Sequence, residues 1–412
     1  MKIRLTALAV MLLPAVLVSG CGQAGFDAEL NKIVEPYRFD LFDWELGALS
    51  GEVNEMFSGS EEVSADDSAT VLQYFDLRVQ IYALEGQITA VDAGMAEGDI
   101  QALESELAAL EQQADALQPA VERIIEAQIR RTLDELGIYN PTDDIVGLEV
   151  GFPPVNFVIE APPRVLVVSP RDEINSIREI TLVADMTAEE VEAIEDAVAG
   201  LDVSALVIQV GGMATYPAFV TTSTNLRFTI NAAVEEWLHQ YLFFKPLGFL
   251  YGLDQAGISR DYDIAVMNET LAGIVSDEIG ETLYQEYYAG YEEEASVEAV
   301  ADENAFDFNL FMRQTRQQVD AYLEAGEIEA AEEYMQQQRQ YLLTQGYYIR
   351  KLNQAYFAFY GTYASSPTSV DPIGDDMRAL RAQYGSLVEF LDAADGLTSR
   401  QQLSDMLEVD SD

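Results

Sequence analysis

The only histidine in 412 residues, His239, closes the string Glu235-Glu236-Trp237-Leu238-His239. On a helix of 3.6 residues per turn, Glu235 and His239 share one face a turn apart. Glu236 is rotated aside by one residue and can lean toward the same point. Carboxylate and imidazole both bind zinc at about 2.0–2.2 Å, so the pair is chemically acceptable as part of a metal shell. Glu236 is then placed to take a proton from a water held there. The spacing is that of a His-Glu-x-x-His helix, where two imidazoles hold zinc beside a general-base glutamate, with Glu235 standing where the first imidazole belongs. Asn268-Glu269-Thr270 lies downstream.

The elements that must position these residues can be read around them. Short β-rich runs between Asp144 and Val220, at Ile145–Val150, Val155–Ile159, Arg164–Val168, Ile180–Val183 and Ala205–Val210, predict a small mixed sheet. A helix from Thr187 to about Leu201, with Thr187 and Glu190 as a capping box, interrupts it. Thr224-Asn225 caps the helix carrying Glu235 to His239. A second helix opens at Met267. Upstream, Leu72, Phe75, Val79 and Tyr82, then Leu103, Leu107, Leu110, Ala114, Leu117, Val121 and Ile124, recur at three and four residues around the Gly94–Gly98 break. That spacing predicts an antiparallel, coiled-coil-like hairpin over 66–140, a packing element and a candidate arm for a protein partner. Two long helices, Phe306–Glu324 and Glu327–Tyr363, join at Ala325-Gly326, and a last helix covers Asp376–Leu391.

With these elements in order, Val234 to Leu242, Met267-Asn268-Glu269-Thr270-Leu271-Ala272 and Arg350 to Tyr356 together resemble the predicted aminopeptidases of bacterial lipoprotein type, which are glutamate-ligand zincins. The similarity spans roughly residues 205 to 390. It implies an α+β chain with a zincin-like core, His239 and Glu269 as metal ligands, and Glu236 as base in the hydrolysis of peptide bonds. Glu235 departs from the family pattern at the first ligand, and its place on the His239 face makes it the third member of the set. A second carboxylate among the ligands neutralises the ion further. Its water should be less acidic than on a His-His-Glu centre, and preference shifts from zinc toward manganese. Oxyanion stabilisation outside the metal shell falls to Tyr356, Tyr360 or Tyr363, with Arg350 and Lys351 as scarce cations nearby. Ala205–Val210 or Tyr216–Val220 could present an edge strand to an extended peptide.

The N-terminus adds an address. Met1-Lys2-Ile3-Arg4, an apolar run from Leu5 to Val18 and then Ser19-Gly20-Cys21 form a signal peptide over 1–20. Because the only cysteine follows the cleavage point, Val18-Ser19-Gly20-Cys21 resembles a bacterial lipobox, with Cys21 lipidated and the mature chain extracytoplasmic and membrane-anchored. Residues 21–65 read as a tether, 141–300 as the zincin-like core and 301–412 as a C-terminal helical region. A formal charge of −50 excludes nucleic acid as a partner. A Ser-His-Asp or Cys-His scheme has no spare histidine or cysteine to use. A solute-binding lipoprotein would need two α/β lobes, which this element order does not suggest. The rival to a peptidase is the same architecture without turnover, a pseudo-peptidase serving as a surface binding or scaffold protein.

Overall fold

A computed structural model describes residues 23–39, 67–139, 152–291, 306–363 and 366–409. The expected signal peptide over 1–20, Cys21 and the expected strand at 145–150 lie outside these residues. The chain is α+β. Helix α1 (Gln23–Val34) precedes the hairpin helices α2 (Ser68–Asp92) and α3 (Ile100–Leu136). Strands β1 (Phe157–Ile159), β2 (Arg164–Pro170) and β3 (Arg178–Leu182) follow, then α4 (Ala188–Ala199), β4 (Val203–Ile208), β5 (Gly212–Met213) and β6 (Ala218–Val220). Next come α5 (Leu226–Leu242), α6 (Pro246–Gln255) and α7 (Tyr262–Tyr288). The remaining helices are α8 (Phe308–Glu324), α9 (Ile328–Thr344), α10 (Gln354–Tyr360), α11 (Ile373–Gln383), α12 (Leu387–Ala394) and α13 (Arg400–Val409).

Instead of one mixed sheet, the described residues form two three-stranded sheets. The first is antiparallel in the order β3-β2-β4. Strand alternation gives it two apolar faces. Leu166 and Val168 pack against α1 and α4, whereas Val167, Leu206 and Ile208 pack against Ala355 of α10. The second sheet, β1-β6-β5, pairs β1 with β6 in parallel and β6 with β5 antiparallel. The chain leaves the first sheet at Ile208 and re-enters pairing at Gly212, which is why the apolar run read as a single strand does not reach Val210.

The free side of β1 is closed by a helix. Gln118, Glu122, Glu126 and Arg130 stand four apart on α3 and so share a face. Glu126 Oε1 accepts from Phe157 N at 3.1 Å and Glu122 Oε1 from Ile159 N at 2.7 Å. Gln118 Nε2 donates to Ile159 O at 3.0 Å and Arg130 Nη1 to Val155 O at 3.2 Å. Side chains thus satisfy backbone groups that a neighbouring strand would otherwise take. On the other helix of the hairpin, Val71, Tyr74, Phe75 and Ile81 are buried, while Tyr82 is 71% exposed and lies off the predicted seam. One apolar core joins the hairpin to the second sheet, α5, α7, α11 and α12.

Three helix boundaries depart from the sequence reading. The site's second helix begins at Tyr262, where Asp261 Oδ1 accepts from Ile264 N, and not at Met267. The helix expected over 327–363 stops at Thr344, two residues before Gly346 at φ +87°, and restarts as α10 behind an Asn353 cap. The helix expected over 376–391 is split into α11 and α12, the second opened by a Ser386/Glu389 capping box.

Candidate metal centre

Helix α5 is buried along most of its length because it sits between the second sheet and α7. Its start is fixed by Asn225, whose Oδ1 accepts from Phe228 N at 2.7 Å. Trp237 anchors the far face by donating from Nε1 to Pro153 O at 2.8 Å. Glu235, Glu236 and His239 lie on that helix, and all three line a cavity of about 1260 Å³. The facing turn of α7, Asn268-Glu269-Thr270, is buried as well.

Ligand atoms of Glu235, His239 and Glu269 lie within 4.8 Å of one another. His239 Nε2 stands 3.7 Å from Glu269 Oε2. Bonds of about 2.1 Å around a tetrahedral ion place donors roughly 3.4 Å apart, so the set is near binding geometry. On the other side of the ring, His239 Nδ1 lies 2.9 Å from Asn268 Oδ1. An amide oxygen can only accept, so this contact puts the proton on Nδ1 and leaves the Nε2 lone pair facing the carboxylates. The sequence reading did not find Tyr251, on α6. Its ring stacks on His239 with centroids 5.5 Å apart, and its hydroxyl donates to Glu269 Oε1 at 2.5 Å. Nothing in local spacing marks it, since it reaches the site through the packing of α6 on α7.

Electrostatics favour a cation. Burial pushes the Glu235 carboxyl up to about 7, with Glu269 and Asp277 adding and His239 opposing. Burial likewise pushes Glu269 up to about 7, against the Tyr251 hydrogen bond. Glu236 is held well above the ordinary carboxylate range by burial and by its two acidic neighbours. His239 is depressed by burial despite Glu235 and Asn268. None of the three glutamates pairs with a Lys or Arg among the described residues, so a divalent ion would supply charge that no side chain provides and would displace protons as it bound. Donor types, convergence and unneutralised charge all fit a metal.

The other expected residues separate into two groups. Tyr363, just beyond α10, lines the cavity, and burial together with Glu269, Glu235 and Glu236 raises its hydroxyl well above the usual phenol range. Tyr360 lines the cavity too. Tyr356 does not; its ring packs on Tyr360 at 4.6 Å and on Phe357 at 5.7 Å. Arg350 and Lys351 are not at the site. Both bind the buried Glu195 of α4, Arg350 at 2.8 and 2.5 Å and Lys351 at 3.0 Å. They are the counter-charges that let this carboxylate stay inside.

The edge-strand expectation also changes. The outer side of β4 is occupied, with Asn353 donating to Ala205 O and Arg350 to Val207 O. Strand β6 lies between β1 and β5. The outer strand beside the site is β5, whose Gly212 has room only for hydrogen because the Glu236 carboxyl packs against it. No family model matches the chain, and neither a curated protein nor a solved structure matches it.

Proposed function

We propose that this chain is a metal-dependent hydrolase of the glutamate-ligand zincin kind, acting on peptide bonds from a membrane tether at Cys21. The observation that carries the reading is the convergence of Glu235, His239 and Glu269 in a cavity large enough for a peptide, with Glu236 beside them. Zinc, or manganese as the alternative, held by those three would supply Lewis acidity and a more acidic water. The chain's own residues account for the rest. Asn268 and Tyr251 hold His239 and Glu269 in orientation. Glu236 takes a proton from the attacking water and returns it to the leaving amine. The Tyr363 hydroxyl offers a hydrogen bond to the developing oxyanion. Strand β5 lets an extended peptide pair beside Glu236.

A second reading, a pseudo-peptidase that binds without turnover, rests on Glu235 itself. A ligand set with two carboxylates acidifies water less than one with two imidazoles. The test is metal content by elemental analysis after incubation with zinc or manganese and desalting, in the parent and in His239→Ala. Near-stoichiometric metal, lost in the variant, is the expected result. Its absence from both proteins would leave only the binding role.

A further inference from the structure

Helices α5 and α7 run antiparallel, so each step of four back along α5 meets a step of four forward along α7. His239 faces Glu269 at 3.7 Å, Asn231 donates to Asp277 Oδ1 at 2.8 Å, and Arg227 pairs with Glu281. The remaining step, Glu235, falls opposite Gly273. A Cβ placed on Gly273 would meet nothing within 4 Å, and Gly273, Asn231 and Asp277 all line the cavity of the metal centre. The ladder of cross-helix pairs therefore has one missing rung, open beside the candidate ligands.

The chemistry of that opening is anionic. Asp277 lies eight residues beyond Glu269, about 12 Å along the axis at 1.5 Å per residue. One of its oxygens takes the Asn231 amide, and no Lys or Arg pairs with it among the described residues. Arg378, on the same cavity, is held by Asp375 at 2.7 Å. Among the described residues the cavity is lined by eight Asp or Glu side chains and two Arg, so an anionic side chain would be repelled. A second, independent observation points to a ligand: Thr270, 4% exposed on the same wall, has a buried hydroxyl with no partner. It is one turn before Gly273 and can bond a chain passing over the centre.

We propose that the opening at Gly273, closed at its far end by Asp277, is a subsite for the lysine or arginine side chain of an extended peptide whose backbone crosses the metal centre. This rests on the hydrolase reading and narrows its substrate class to basic peptides. A long aliphatic stem suits the uncharged Gly273 gap and its cationic end the Asp277 carboxylate.

The test uses full-length protein carrying Glu236→Gln to prevent turnover. Calorimetry compares three acetylated, amidated alanine hexapeptides with a central lysine, norleucine or glutamate. The lysine peptide should bind at least about tenfold tighter than norleucine, with glutamate weakest. Asp277→Asn should reduce that preference to under about threefold. Gly273→Leu should weaken the lysine and norleucine peptides alike, and leucine is the better helix former, so α7 is kept. Equal affinities, no binding of any peptide, or a preference that survives Asp277→Asn would overturn the subsite. Metal content of the same samples separates the two ideas. Full metal without a lysine preference sinks the subsite alone, whereas an Asp277-dependent preference in protein that takes up no metal keeps it and sinks the hydrolase reading.

Discussion

At the candidate centre two of the three candidate ligands, His239 and Glu269, are each held by a neighbour that is not itself a ligand. Asn268 bonds the back of His239, and Tyr251 bonds Glu269 while stacking on the imidazole. Partners of this kind typically contribute 10–100-fold in metal affinity. Tyr251→Phe keeps the stack and removes only the hydroxyl, so zinc affinity measured by competition with a chelating dye should fall by about tenfold with little change in folding. Unchanged affinity would mean that Glu269 is not a ligand. Glu235→His works in the other direction. It restores the second imidazole and should raise zinc affinity while reducing the acceptance of manganese, which favours carboxylate. If that variant binds zinc no better than the parent, Glu235 does not face the ion.

Among the elements, α3 does something its sequence conceals. Its apolar repeat correctly predicted a helical hairpin, because three-and-four spacing reports which face is buried. Glutamates at 122 and 126 read as a solvated face by the same logic, yet they meet the backbone of β1, 31 to 37 residues away. Such a pairing joins groups on two different elements, and no local period records it. The caps at Thr187 and Asn225 were legible because they act within one turn. The break after Thr344 was not, since the residues beyond it keep an aromatic spacing compatible with continued helix. The candidate ligands were legible on α5 by type and spacing, whereas Tyr251 and Gly273 acquire meaning only from the packing of α6 and α7. The β1 closure is testable: Glu126→Ala leaves the buried Phe157 N–H without a partner and should cost about 1–3 kcal/mol in chemical denaturation. A change below about 0.5 kcal/mol would mean that water replaces the carboxylate and that α3 is held by its apolar face alone.

For the whole molecule the dominant quantity is charge. Seventy-two acidic residues face 22 Lys and Arg, giving −50. Several of those cations are bound to particular acids: Arg171 bridges Glu332 and Asp202, Arg381 holds Glu278, and Arg350 with Lys351 holds Glu195. The excess acid has no internal counter-ion, and self-repulsion of that kind favours the expanded state. Monovalent salt screens it, with the Debye length falling from about 10 Å at 0.1 M to about 3 Å at 1 M. Melting temperature should therefore rise steadily with NaCl across that range in the presence of a chelator. Weakening of the surface ion pairs works against this trend but is small, because exposed pairs are each worth about 0–1 kcal/mol. Divalent metal adds a separate increment of RT ln(1 + [L]/Kd), about 2.7 kcal/mol at one hundred times Kd. This increment should vanish in His239→Ala while the salt response stays. A melting temperature that falls with NaCl would show that specific pairs such as Arg171 with Glu332, and not the net repulsion, govern the stability of this acidic fold.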